Sequence, residues 1–172
     1  MNTIYFDNSA TTKVSQAAAA AAMRAMTDSF GNPSSGHSCG REAGRLLADS
    51  RSRIAKALGA SSDEVFFTSG GTEADNWAII CGARHNARAG KHVITTAVEH
   101  DAVLKTTERL KSEGFEVEYI KPDGEGNITA ERVLSAIRPD TTLVSVMMVN
   151  NETGCVFPIS EIAARMKRMG SR

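Results

Sequence analysis

Apolar positions recur along this chain in two rhythms. Spacings of three and four mark helices: an Ala-rich stretch over about residues 15–26, and a longer segment over about residues 40–58. In the second, Ala43, Leu46, Leu47, Ser50, Ile54 and Leu58 fall near one face, with Arg41, Arg45, Asp49 and Arg53 largely on others. Gly59 ends it, and residues 30–36 gather Gly, Asn, Pro and Ser into a loop between the two helices. Beyond residue 60 short β-branched runs alternate with helical stretches. Residues 65–68, 93–96, 115–120 and 143–149 read as strands; residues 72–86, 102–112, 131–137 and 159–169 read as helices. Such alternation predicts an α/β fold of βαβ units, three layers (αβα) around a mainly parallel sheet, preceded by an extended arm over residues 4–12.

Composition narrows the function. The twenty acidic and twenty basic side chains cancel and are scattered, so neither a nucleic-acid nor an anionic-membrane footprint is expected, and a small-molecule ligand is. The N-terminus lacks a basic stretch followed by an apolar one, and no apolar run reaches the eighteen or so residues of a span, which points to the cytoplasm. Cys39, Cys81 and Cys155 are odd in number, widely spaced and without a Cys-x-x-Cys pair. They read as free thiols, with neither a disulfide framework nor a metal site.

Polar residues stand out at three places where a strand is expected to end: Ser69-Gly70-Gly71-Thr72-Glu73, Glu99-His100 and Asn150-Asn151-Glu152. In open α/β sheets ligands bind outside the carboxyl ends of the strands, so these distant segments are expected to converge on one crevice. The first combines a Gly-rich turn with a helix N-terminus, whose outward amides and dipole favour an anion; Ser69 or Thr72 would equally serve as a plain helix cap. His100 has an imidazole suited to stacking on a flat ligand or moving protons, its ordinary pKa being near 6.5, or to capping the following helix. Asn151 offers an amide to a ligand oxygen, or a turn after the apolar run.

Taken together, Tyr5-Phe6-Asp7-Asn8-Ser9-Ala10-Thr11-Thr12, Gly31-Asn32-Pro33-Ser34-Ser35, Phe67-Thr68-Ser69-Gly70-Gly71-Thr72-Glu73-Ala74-Asp75-Asn76, Glu99-His100 and Val149-Asn150-Asn151-Glu152-Thr153-Gly154 resemble the cysteine desulfurases of the NifS/IscS type. These are class V aminotransferase relatives among the fold-type I pyridoxal-phosphate enzymes. The resemblance implies that Gly71 and Thr72 form part of a cup for the phosphate of pyridoxal 5'-phosphate. His100 then stacks on the pyridine ring and assists proton transfer, and Asn151 approaches the ring's phenolic oxygen and the substrate carboxylate. Asn8, Ala10 and Thr11 belong to an arm on the substrate side.

It also implies what these residues lack. Relatives of this type are much longer, and the further part carries the Schiff-base lysine, the persulfide-forming cysteine, an Asp for the pyridinium nitrogen and an Arg for the substrate carboxylate. The seven lysines here, Lys13, Lys56, Lys91, Lys105, Lys111, Lys121 and Lys167, all lie outside the motif that holds the lysine, and Cys155 does not occupy the nucleophile's place. The organisation implied is an arm over residues 1–14, then residues 15–172 as the first part of a coenzyme-binding large domain, cut before that lysine. The reaction implied is L-cysteine to L-alanine with a persulfide for iron-sulfur clusters or thiolation. This chain alone is expected to be inactive, to bind the coenzyme non-covalently at best, and to need a C-terminal half or a second copy, with a sulfur acceptor protein as a further partner. A selenocysteine lyase, another class V aminotransferase, or a non-catalytic coenzyme-binding or scaffold remnant are the alternatives.

Overall fold

Ser15 starts the first helix: its hydroxyl accepts from the Ala18 amide (3.2 Å) ahead of α1 (Gln16–Thr27). The second, α2 (Ser38–Leu58), is capped by His37 Nδ1 and stops at Gly59 in the left-handed conformation that glycine adopts without strain. The computed structural model describes residues 4–170 and divides into two units, residues 1–67 and 68–172; these two helices belong to the first.

In that unit the buried stripe of α2 differs from the expected one. Gly40, Ala43 and Ala55 are buried with Leu47 and Ser50 half-buried, whereas Leu46, Ile54 and Leu58 are exposed, Leu58 by 72%. The stripe follows small residues because backbone approaches them closely: a Cβ on Gly40 would meet Asn32 O at 2.8 Å. Residues 65–68, expected as a strand, lie outside the sheet. Val65 O accepts from Arg51 Nε (3.2 Å), and the Arg51 guanidinium sits over the Phe67 ring at 5.3 Å. Contacts to α2 thus replace a ladder, and Phe66 is 68% exposed. The arm is not simply extended either, since Ala10 and Thr11 amides turn back to Asp7 O (both 3.3 Å).

The second unit is the α/β part. It runs α3 (Gly71–His85), β1 (His92–Thr96), α4 (Asp101–Ser112), β2 (Glu116–Ile120), α5 (Ala130–Ser135), β3 (Thr141–Val144) and α6 (Ile159–Arg168). The three strands pair in parallel in the order β2-β1-β3. Every residue of β1 is buried, as a central parallel strand covered on both faces must be. Val93 packs with Ile79 and Ala83 of α3 and Val103 and Leu110 of α4; Ile94 packs with Val133 and Leu134 of α5 and Ile162 of α6. Adjacent residues of a strand point to opposite faces, so these two clusters are the two sides of a three-layer sandwich. The topology requires this. The connection from β1 to β2 and the return from β2 past β1 to β3 travel in opposite directions, and right-handed crossovers then lie on opposite faces.

At the N-terminal rim of the sheet, His92 is fully buried and joins Thr141 Oγ1 through Nδ1 (2.8 Å), while its Nε2 stands 3.5 Å from Glu118 Oε2 without a hydrogen bond. Arg138 grips Glu116 (2.6 and 2.8 Å) and Asp140 (both 3.0 Å). At the other rim, β3 is shorter than the expected 143–149. Its ladder ends after Ser145 N donates to Ile94 O (2.9 Å), and Val149 instead bridges Val156 in antiparallel fashion, closing the turn at 150–155. No helix among the described residues is long and apolar enough to cross a membrane.

Candidate functional site

The crevice lies where the sheet order reverses. Neighbouring strands β1 and β3 are followed by helices on opposite faces, α4 and α6, and the loops leaving them separate there. The Glu99-His100 and Asn150-Asn151-Glu152 segments are those two loops.

His100 has extended backbone and caps α4, its Nδ1 accepting from the Ala102 amide (3.1 Å). That bond needs the Nδ1 lone pair, so in this geometry the hydrogen resides on Nε2. The ring is solvent-exposed and lines a cleft of about 350 Å³ with Thr72, Asn76, Asp101, Lys105 and Arg109. Thr72 comes from the start of α3, which packs beside α4. Between them Thr106 Oγ1 donates to Asn76 Oδ1 (2.7 Å). Two of the three expected segments therefore share one cleft.

The start of α3 is open. Gly70 is extended (φ 168°), and a Cβ built on Gly70 or Gly71 meets nothing within 4 Å. The first amide to find an acceptor is Ala74, on Gly70 O (3.2 Å), which leaves those of Gly71, Thr72 and Glu73 for a ligand, as at any helix N-terminus. Glu73 folds back onto Ser69, taking its amide (2.6 Å) and hydroxyl (2.7 Å), and these bonds hold its carboxyl below the usual range. The plain side-chain cap expected as an alternative is not formed: Gly70 stands at the N-cap with no side-chain bond to a helix amide, and the Ser69 hydroxyl goes to Glu73. Thr72 itself is exposed at the cleft. Of the cations there, Lys105 pairs with Asp101 (2.8 Å) and Arg109 with Glu113 (3.2 Å). Free amides, a hydroxyl and unobstructed glycines make a donor set that fits a phosphate.

Asn151 is exposed, its amide on Glu152 Oε1 (3.0 Å), and is not among the residues lining the cleft with Thr72 and His100. Its neighbour Asn150 is buried and organises the loop. Asn150 Oδ1 accepts from the Glu152 amide (3.0 Å), the Thr153 amide (2.9 Å) and Thr153 Oγ1 (3.1 Å), and Nδ2 donates to Val98 O (2.8 Å) in the other loop. Glu99 is buried too. Its Oε1 accepts from Thr96 Oγ1 (2.9 Å) and the Met147 amide (2.9 Å). Burial raises the Glu99 pKa against the lowering effect of those two bonds, and the charge of Asp75 adds to the rise. Sequence reasoning singled out neither Glu99 nor Asn150 as a site residue. A signal existed in each being the inner member of a polar doublet, at the point where a buried run gives way to a loop.

Asn8, Ala10 and Thr11 are exposed residues of the first unit. The three cysteines are free, Cys39 and Cys81 exposed and Cys155 half-buried against the α5–α6 cluster. No group of metal-ligating side chains occurs among the described residues.

A parallel sheet with a crossover reversal thus brings an open helix start and an imidazole to one cleft, at the place where open α/β sheets take their ligands. The chain belongs to the aminotransferase class-V family, whose model matches residues 4–171. It is 46% identical over 159 residues to the cysteine desulfurase IscS of Methanosarcina thermophila, covering 92% of this chain and 39% of that protein. With the cysteine desulfurase of Trichormus azollae it shares 42% over 171 residues, 99% of this chain and 42% of the relative. Among solved structures, a NifS-like protein superposes with a TM-score of 0.91 at 37% identity, covering 96% of this chain and 45% of that one. SspA in complex with cysteine gives 0.91 at 38%, covering 98% and 48%. The likeness to NifS/IscS-type cysteine desulfurases read from the motifs is therefore found across the chain, which spans about two fifths of the length of the curated relatives it matches.

Proposed function

We propose that this chain supplies the phosphate cup and ring-facing half of a coenzyme site in a cysteine desulfurase acting on L-cysteine. The observation carrying this is the meeting of Thr72 and His100 on one cleft beside the open start of α3. The amides of Gly71 and Thr72, with the Thr72 hydroxyl, would hold the phosphate of pyridoxal 5'-phosphate. His100 would lie against the pyridine ring, held by its cap bond to Ala102 so that Nε2 is the nitrogen left to give or take a proton. Asn151 would orient the phenolic oxygen and the substrate carboxylate. When bound, the coenzyme supplies an electron sink for breaking bonds at the amino acid's carbons. In the intact enzyme, sulfur leaves cysteine for a protein thiol, alanine remains, and the persulfide passes to an acceptor protein in the cytoplasm.

None of the seven lysines sits in the family's coenzyme-lysine motif. The 172-residue polypeptide is therefore expected to bind pyridoxal phosphate saturably, to yield no single lysine adduct after borohydride reduction, and to release no sulfide from cysteine at enzymatic rates. Thr72→Ala and His100→Asn should each weaken binding by about tenfold, one charge-assisted or stacking contact being worth about 1.5 kcal/mol. Absence of specific binding, or binding that neither substitution changes, would overturn the assignment of the cup. Sulfide release abolished by replacing one of the chain's own lysines would overturn the expectation of inactivity.

A further inference from the structure

Backbone pairing between β1 and β3 stops at Ile94 and Val144, with one last bond from Ser145 N to Ile94 O (2.9 Å). Past that point the chains carrying His100 and Asn151 are no longer joined by a ladder. Two buried side chains take over. Glu99 ties the end of β1, through Thr96 Oγ1, to the Met147 amide of the other loop, and Asn150 reaches back to Val98 O. Each is the sequence neighbour of a proposed site residue, and each crosses the reversal point in the direction opposite to the other. We infer that Glu99 and Asn150 are positioning residues: together they continue the β1–β3 pairing by side chain and set the separation of His100 from Asn151, on the reading of those two as coenzyme-facing residues.

The chemistry of the pair suits the task. A carboxyl oxygen that accepts from a hydroxyl of its own segment and an amide of the other loop fixes two chain segments at one point, and Asn can donate across the crevice while accepting within its own turn. Both residues are buried, at 7% exposure for Glu99 and 6% for Asn150, so water competes little for these bonds. Lys105 on the neighbouring helix pairs with Asp101, and Asp75 acts on Glu99 through its charge, which adds to the rise in the Glu99 pKa. Burial raises the Glu99 pKa although the bonds from Met147 and Thr96 lower it, so the carboxyl keeps its place between the loops at a cost in desolvation.

The test uses the 172-residue chain with Glu99→Gln, Glu99→Ala and Asn150→Asp, each first shown to be folded by circular dichroism. Glu99→Gln keeps an oxygen for the Met147 amide; Asn150→Asp keeps the acceptor for the Glu152 and Thr153 amides, loses the hydrogens that Nδ2 gives to Val98 O and Met147 Sδ, and sets a carboxyl oxygen against the Val98 carbonyl. Backbone amide spectra without coenzyme should show Asn150→Asp shifting residues 98–101 across the crevice, and Glu99→Ala shifting residues 147–153. Glu99→Gln should leave both loops near the parent. Pyridoxal phosphate affinity should fall about tenfold in the Ala and Asp variants and stay within about twofold in Gln, at temperatures where all are folded. Shifts confined to the mutated loop, or a Gln variant as impaired as Ala, would overturn the inference. Parent chain that binds no coenzyme would refute the proposed cup alone, because the amide spectra still decide whether the two loops are coupled.

Discussion

The same substitution, glycine to alanine, should have opposite signs at two positions of the α/β unit. Gly90 lies two residues before β1 and against the turn that leads into β3. A Cβ there would run into the Asp140 carbonyl, with Asp140 Cα at 2.7 Å. That neighbour is backbone and cannot rotate away; it also accepts the His92 amide (3.1 Å), so moving it disturbs the first bond between β1 and the β3 turn. Overpacking of this kind costs about 1–3 kcal/mol. Gly82, inside α3, faces Leu143 Cδ1, and the same methyl would sit 3.4 Å from that flexible side chain, an ordinary contact. There alanine should stabilise by up to about 1 kcal/mol, the difference in helix propensity. The single tryptophan, Trp77, lies in α3 and reports on this unit by fluorescence. With a urea m-value of about 2 kcal/mol/M, the midpoints of Gly90→Ala and Gly82→Ala should stand about 1–2 M apart on either side of the parent. A Gly90→Ala midpoint at or above the parent's, with m unchanged, would refute the close approach of Asp140 to β1.

Two further substitutions address buried polar groups. Burial raises the Glu99 pKa, so between the ordinary carboxyl value of about 4.3 and its higher folded value the native chain holds a proton that the unfolded chain has released. Stability from this group is therefore greatest at low pH and falls as pH rises through that window. Glu99→Gln removes the slope, and urea midpoints of variant and parent should diverge in favour of the variant as pH rises above the ordinary carboxyl value; parallel curves would contradict the burial argument. Thr95 is fully buried and its hydroxyl has no hydrogen-bond partner. Thr95→Val should raise stability by about 1 kcal/mol, read from the same titration, and a lowered midpoint would show that the hydroxyl is satisfied in solution.

Where the period of the sequence was set by burial against a neighbour in the α/β unit, the elements were legible. Residues 93–96 and 102–112 match β1 and α4 closely because both lie in the sheet sandwich and their apolar residues face it. The apolar run 65–68 was misleading for the same reason turned round: its pattern is that of a strand, yet ladder formation depends on a neighbour, and its contacts are to Arg51 of α2. In α2 the large apolar residues drew the expected face, while the residues buried are the small ones Gly40, Ala43 and Ala55, with backbone in close approach at Gly40. Segments of the site could be read because Gly-rich turns and polar doublets interrupt apolar runs. Which member of a doublet turns inward could not, since that depends on acceptors such as Val98 O and donors such as the Met147 amide that only the folded crevice supplies.

His100 serves the helix as well as the cleft, and this shapes how the position can drift over generations. A replacement that lacks an acceptor for the Ala102 amide frays the start of α4, so the substitutions that leave the unit standing are the short cap-formers Asn, Asp, Ser and Thr. A lineage that gave up the imidazole while keeping its architecture should then carry one of those four residues at the equivalent place. An apolar residue there would instead mark a lineage in which α4 has found another beginning.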